Sequence, residues 1–221
     1  MLKVKGILVS LLVALPVLGL NIVVATPAQA AIVNVSTVDR ANPTAVTTAA
    51  IDNAIEIIKK YKDVSVNNQQ LRNDIKTNVL PLFNTNYISL SLLNTYTRTA
   101  TREQLVEFRN VIEDYMVNAF IEAMSFYNNQ KVNIGTTQVV QNSATTNVTL
   151  VDTNQSYNIQ FRMININNQY GIIDFTAEGI SLVNTKSTEW QPILRQKGVA
   201  GLIEYVKNNM NNVLSDINQS K

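Results

Sequence analysis

The sequence predicts an α+β fold, with N-terminal helices, a twisted antiparallel sheet of about four strands and C-terminal helices. Apolar residues recur at helical spacing up to about residue 126, and at a spacing of two between residues 132 and 175. Helical spacing returns after residue 180. Because helices and strands are segregated along the chain, we expect the helices to cover one face of the sheet.

The first thirty residues have the pattern of a secretory signal peptide. Lys3 and Lys5 precede an apolar run from residue 7 to residue 25, and Ala28-Gln29-Ala30 is a small-x-small cleavage site. We expect cleavage after Ala30, export, and a single domain over residues 31–221. The length of the apolar run leaves an uncleaved membrane anchor as the alternative, although Pro16 and Asn21 interrupt it.

The composition argues against several classes of function. The chain contains no cysteine and no histidine, which excludes thiolate and Ser-His catalysis and most zinc sites. We therefore expect no metal and no cofactor. The net charge of +2 falls to zero when Lys3 and Lys5 are removed, because residues 1–30 contain no Asp or Glu. A neutral chain lacks the dense positive charge that nucleic-acid binding requires.

Capping residues mark the starts of the first helices. Asn42-Pro43 predicts an N-cap followed by proline at the first helical position. Asn67-Asn68 is a polar break before a second, short helix, which Pro81 ends. A third helix is expected over residues 85–96.

The fourth helix has the clearest pattern. Thr101 and Gln104 form a capping box at its start. Its long apolar stripe consists of Leu105, Phe108, Ile112, Tyr115, Ala119, Ala123 and Phe126. The stripe predicts a helix that packs against the rest of the domain, but periodicity alone does not distinguish a filled core from a pocket.

After residue 128 the pattern is that of strands. Residues 157–163 alternate between large apolar and polar side chains, and Asn167-Asn168 predicts a hairpin turn into the strand 170–175. Gly179 ends that strand, and two helices are expected to close the chain. The last of them carries Leu202, Val206, Met210, Val213 and Ile217.

Any enzymatic chemistry in this chain would depend on carboxylates. Asp174 and Glu178, four residues apart at the end of a strand, are the pair to consider. The structural alternative is that Asp174 pairs with Arg162 or caps the following bend, while Glu178 is solvated. We favour the structural alternative and assign no catalytic residue.

Eight short motifs, taken in order, resemble the MlaC family of periplasmic phospholipid carriers, also called toluene-tolerance proteins. They are Asn42-Pro43, Leu80-Pro81, the segment 100–104 (ATREQ), Phe161-Arg162, Asp174, the segment 178–182 (EGISL), Thr185-Lys186 with Glu189-Trp190, and Lys197-Gly198. Together they span nearly all of the mature chain. The chain has Leu93-Asn94 where many relatives have Leu-Gly.

The resemblance implies a monomeric, non-catalytic lipid carrier of the periplasm that preserves outer-membrane lipid asymmetry. Its cargo would be a phospholipid, with the acyl chains in a deep apolar pocket between sheet and helices. Its partners would be an outer-membrane MlaA complex and an inner-membrane complex containing MlaD. On this basis, with facing taken from strand alternation, we place eight residues on the pocket wall: Tyr115, Ala119, Leu150, Ile159, Phe161, Met163, Ile172 and Phe175.

Alternation leaves the two strand faces interchangeable. Trp190 is predicted to anchor the last helices to the sheet rather than to contact lipid. Two other functions remain open at this point. One is a small-molecule enzyme on a cone-shaped α+β scaffold that uses Asp174 or Glu178. The other is a periplasmic binding module for a non-lipid ligand, in which the apolar stripes are core.

Overall fold

The computed structural model describes residues 31–62, 65, 67–153 and 155–210. They form an α+β fold, as predicted, and the elements follow in the order α1 (Pro43–Lys60), α2 (Gln69–Asn78), α3 (Thr85–Leu93), α4 (Arg102–Met124), β1 (Lys131–Val140), β2 (Ser143–Val151), β3 (Ser156–Ile166), β4 (Gln169–Ala177), β5 (Ile180–Ser181) and α5 (Leu182–Asn208). The predicted signal peptide, Val213 and Ile217 lie outside the described residues.

Side-chain caps begin the first four helices. Asn42, Asn68 and Asn84 each accept hydrogen bonds from backbone N–H groups of the first turns of α1, α2 and α3. Thr101 and Gln104 form the complete capping box of α4, with bonds of 3.2 Å and 3.0 Å. These caps satisfy N–H groups that lack partners inside the helix, and they confirm the predicted starts.

Two helices are shaped by residues with positive φ. Asn94 has φ 52°, which ends α3 at Leu93, and a 3-10 helix then spans Asn94–Arg98 in place of the longer helix predicted. Gly198 has φ 65° and ψ −169°, which interrupts α5. The two closing helices predicted from the sequence are therefore the two segments of α5 on either side of Gly198.

The sheet is a meander in which every neighbouring pair is antiparallel, in the order β1-β2-β3-β4-β5. Asn167 and Asn168 have φ of 54° and 61°, the left-handed conformations of a tight hairpin turn. The sheet has five strands where about four were predicted. The fifth strand is the two-residue β5, which Glu178 and Gly179 connect to β4 through a second positive-φ pair.

The helices cover one face of the sheet and pack on one another. In the N-terminal half of α1, Val46 and Ala50 pack in a buried cluster with Met163 and Ile172 of the sheet. Helix α4 packs instead on α2, α3 and α5. No helix in the described part of the chain is long and apolar enough to span a membrane. The different packing of α1 and α4 positions the site described next.

Candidate lipid-binding cavity

An apolar cavity of about 310 Å³ lies between the sheet and the helices. Aliphatic and aromatic side chains form nearly all of its wall. Among the described residues, Asp174 and Lys186 are the charged side chains on the wall. An engineered apolar cavity of about 150 Å³ stays dry and binds benzene. A cavity of twice that volume with this lining favours an apolar ligand over water.

Strands β2, β3 and β4 form one side of the cavity. Val148 lies opposite Ile159 in the pairing of β2 with β3, and Phe161 lies opposite Phe175 in the pairing of β3 with β4. Leu150 shares the face of Val148, because residues two apart in a strand point the same way. The rings of Phe161 and Phe175 have centroids 6.4 Å apart. Large side chains therefore make up the sheet side.

Helices α1 and α4 form the opposite side, where several of the side chains are small. Ala54, Ile55 and Ile58 of α1 line the cavity and are only half-buried. Ala119 and Ala123 of α4 line it one helical turn apart. Alanine at these positions leaves space between the helices and the sheet.

An aromatic cluster packs beside the cavity where α4 meets α5. The Trp190 ring contacts Tyr115 edge-on, with centroids 5.4 Å apart, and Phe108 at 6.4 Å. Edge-to-face arrangements at these distances are the favoured geometry of aromatic pairs. Trp190 was predicted to anchor the last helices to the sheet, but it joins α5 to α4 instead. Together with Tyr115 it also lines the cavity.

Asp174 is engaged by backbone and side chains at the start of α5. Its Oδ1 accepts a hydrogen bond of 3.1 Å from the Val183 N–H, and its Oδ2 accepts one of 2.6 Å from the Ser181 hydroxyl. Arg162 lies opposite Asp174 in the β3–β4 pairing, with Nη1 3.5 Å from Oδ2. The predicted pairing with Arg162 and the capping of the bend are both present. The carboxylate has the contacts of a structural residue.

The other polar residues predicted or found near the cavity are also engaged. Glu178 is exposed, and its carboxylate accepts a hydrogen bond from the Asn158 N–H. Lys186 is buried, and its Nζ donates to Glu189 Oε2 at 2.7 Å. Within the described ranges, no group of three or more acidic side chains is arranged to hold a metal ion.

Six of the eight residues predicted for the pocket wall line the cavity. They are Tyr115, Ala119, Leu150, Ile159, Phe161 and Phe175. Met163 and Ile172 belong instead to the buried cluster under α1. They share a sheet face with Phe161 and Phe175, but the N-terminal half of α1 packs directly on them and leaves no space.

Sequence reasoning missed the contribution of α1 to the wall. Ile51, Ile55 and Ile58 line the cavity, and their spacing of four and three residues is that of a single helical stripe. That stripe is visible in the sequence beside the core-facing Val46 and Ala50. No local pattern indicates, however, that the two stripes face different environments.

The fold and the cavity together define an α+β domain with an apolar cavity between its sheet and its helices. The model of the family described as MlaC protein matches residues 48–208, and the chain belongs to this family. A relative from Haemophilus influenzae, the intermembrane phospholipid transport system binding protein MlaC, is 22% identical over 158 residues, which cover 66% of this chain and 74% of that protein. A solved phospholipid-binding protein from Ralstonia solanacearum, in complex with a phospholipid, has the same fold with a TM-score of 0.69 and 16% identity, covering 78% of this chain and 98% of that one.

Proposed function

We propose that this protein is a periplasmic carrier that encloses the acyl chains of a phospholipid in the apolar cavity. The cavity carries the proposal, since its wall is almost wholly apolar and lies between sheet and helices. The names of the Haemophilus relative and the Ralstonia structure support a phospholipid as cargo. The protein would then need no cofactor, because the bound phospholipid is the cargo and no reaction takes place.

The energetics of acyl chains explain why such a carrier must enclose them. Each buried methylene is worth about 0.8 kcal/mol, so two chains of about sixteen carbons would lose roughly 20 kcal/mol or more on entering water. Release into water is therefore negligible. Transfer requires contact with a membrane or with a complex that offers the chains another apolar site.

The cavity itself would be costly without a ligand. At about 24 cal/mol per Å³, a volume of about 310 Å³ corresponds to about 7 kcal/mol. That is comparable to the whole stability of a typical domain, which is about 5 to 15 kcal/mol. We therefore expect the purified protein to retain a lipid.

The transport route and the location are part of the proposal. We propose that the chain is exported by residues 1–30, cleaved after Ala30, and works as a monomer in the periplasm. It would exchange lipid with an outer-membrane MlaA complex and an inner-membrane MlaD-containing complex, and so maintain outer-membrane lipid asymmetry. The name of the Haemophilus relative supports transport between membranes.

A non-enzymatic role agrees with the state of the two carboxylates that could have served catalysis. Asp174 is held by Ser181 and the Val183 N–H, and Glu178 lies exposed at a turn. A general base needs a free acceptor within hydrogen-bond reach of a substrate. We propose a structural role for both.

Mass spectrometry of an organic extract of the purified mature protein tests the proposed function. We expect phospholipid in a near-stoichiometric amount. A protein that carries no phospholipid, and takes none up from vesicles, would rule out the carrier function. Intact-protein mass on the same sample tests cleavage after Ala30.

A further inference from the structure

A second cavity of about 180 Å³ adjoins the apolar one. Ile58, Met124 and Tyr127 lie on the walls of both cavities. These shared residues come from the C-terminal part of α1 and from the end of α4 and the residues that follow it. We call the second cavity the vestibule, because it shares these three wall side chains with the apolar cavity.

The vestibule differs chemically from the apolar cavity. Its remaining wall consists of Lys59, Tyr61, Lys62, Leu71, Ile121, Ser125, Asn128 and Asn129. Two cations, two hydroxyl groups and two amides therefore lie around one small space, and no described residue on its wall carries a carboxylate. This composition suits an anion that also accepts hydrogen bonds.

Both lysines are available to such an anion. Lys59 donates a hydrogen bond of 2.7 Å to Glu56 Oε1, which raises the pKa of Lys59 above its ordinary value. Its side chain is 49% exposed, so donors remain for a ligand. Lys62 is exposed and forms no ion pair within the residues that the structure describes. Glu56 and Asp52 lie on earlier turns of α1, outside the vestibule wall.

We propose that the vestibule holds the phosphoryl group of the cargo lipid through Lys59 and Lys62, and that it favours an anionic headgroup over a zwitterionic one. This inference rests on the proposed function, because the acyl chains must lie in the adjoining cavity. Lysine binds phosphate as a compact point charge. A zwitterionic headgroup would bring its own ammonium close to two lysines, and like charges at short range repel.

Lipid competition tests the inference. Lipid-free protein is incubated with vesicles that contain equal amounts of phosphatidylglycerol and phosphatidylethanolamine, and the bound lipids are then extracted and counted by mass spectrometry. Since each partly exposed charge contact contributes modestly, we expect wild-type protein to enrich phosphatidylglycerol about fivefold. Lys59→Gln with Lys62→Gln should return the ratio to that of the vesicles, with the total lipid per protein unchanged.

Lys60→Gln is the matched control. It removes one positive charge from the same end of α1, as Lys59→Gln or Lys62→Gln alone does, but Lys60 is not on the vestibule wall, and its Nζ lies 2.8 Å from Asp74 Oδ2. The Lys60 variant should keep the wild-type enrichment. Equal loss of enrichment in the Lys60 variant would overturn the inference in favour of a general effect of net charge, and so would a wild-type protein that loads both lipids equally.

Two further outcomes distinguish a wrong vestibule assignment from a wrong carrier function. A wild-type protein that takes up no lipid at all would overturn the carrier function itself, whereas lipid uptake without headgroup preference would overturn only the vestibule assignment. The competition is repeated with inorganic phosphate and with chloride at equal ionic strength. A specific loss of enrichment in phosphate is expected, because free phosphate competes with the phosphoryl group for the same lysines, and an equal loss in chloride would overturn the assignment in favour of non-specific charge screening.

Discussion

Replacing Ala119 with tryptophan should block the cavity without unfolding the protein. Ala119 lies on the α4 side of the cavity wall and is half-buried. An indole placed there extends toward the sheet, into the space that an acyl chain would fill. The helix itself should tolerate the change, because the new side chain enters a cavity of about 310 Å³ and not a filled core.

The size of the effect follows from the area of the indole. A tryptophan buries about 200 Å², and at about 25 cal/mol per Å² an acyl chain excluded from that surface loses about 5 kcal/mol. Lipid affinity should therefore fall by between about three and four orders of magnitude. The same burial benefits the lipid-free protein, so its melting temperature should stay level or rise.

Two measurements on the same preparation check this prediction. Lipid per protein after incubation with vesicles should fall to background for Ala119→Trp, while circular dichroism and thermal unfolding stay native-like. Val106→Trp is the control, because Val106 is 46% exposed on the same helix and does not line the cavity. If the Ala119 variant loads lipid as well as the Val106 variant, Ala119 is not on the lipid pathway and the prediction is wrong.

Three further predictions concern stability. Trp190→Ala removes a fully packed indole and should lower the free energy of unfolding by about 3 to 5 kcal/mol in urea titrations. Gly198→Ala should lower it by about 1 to 3 kcal/mol, because φ 65° and ψ −169° suit glycine alone, although, its chain neighbours and the adjacent helix backbone aside, no atom of the described residues lies within 4 Å of the added Cβ. Burial raises the pKa of Asp74, but hydrogen bonds from Lys60 and Tyr61 outweigh it, and the net pKa lies below 3.8. A carboxyl group with a depressed pKa stabilises the fold above its unfolded pKa and loses that contribution as the pH falls through the folded pKa. Asp74→Asn should therefore destabilise the protein at pH 7, by a margin that shrinks as the pH falls below 3.8 in unfolding experiments at graded pH.

The local signals in the sequence predicted most of the fold. Asn42 and Asn68 mark helix starts, because their side chains accept hydrogen bonds from the next backbone N–H groups. Asn167-Asn168 marks a hairpin, because asparagine tolerates the left-handed backbone conformation of a tight turn. The α3 end was less predictable. Asn94 adopts a positive φ that ends the helix there, and asparagine tolerates this conformation without requiring it.

The site was harder to predict, because alternation gives the face of a residue but not its distance from the layer above. Phe161 and Met163 share one face of β3, yet Phe161 lines the cavity and Met163 lies under α1. The difference depends on where α1 contacts the sheet, which no local pattern reports. The sequence shows Lys59 and Lys62 only as basic residues near the end of α1. Their place on a cavity wall depends on the position of α4, which the sequence does not give.

Three alanines on the helical side, among larger residues such as Ile55, Ile58 and Tyr115, leave space opposite the sheet. Phe161 and Phe175 fill the sheet side, whereas Ala54, Ala119 and Ala123 occupy the helical side. In a filled core, small residues on one layer are met by large residues that reach across, so that side chains interdigitate. Here α4 is supported by α2, α3 and α5 rather than by the sheet. The space is therefore set by how the helices are held, and a ligand that fills it completes a core that the chain alone leaves open.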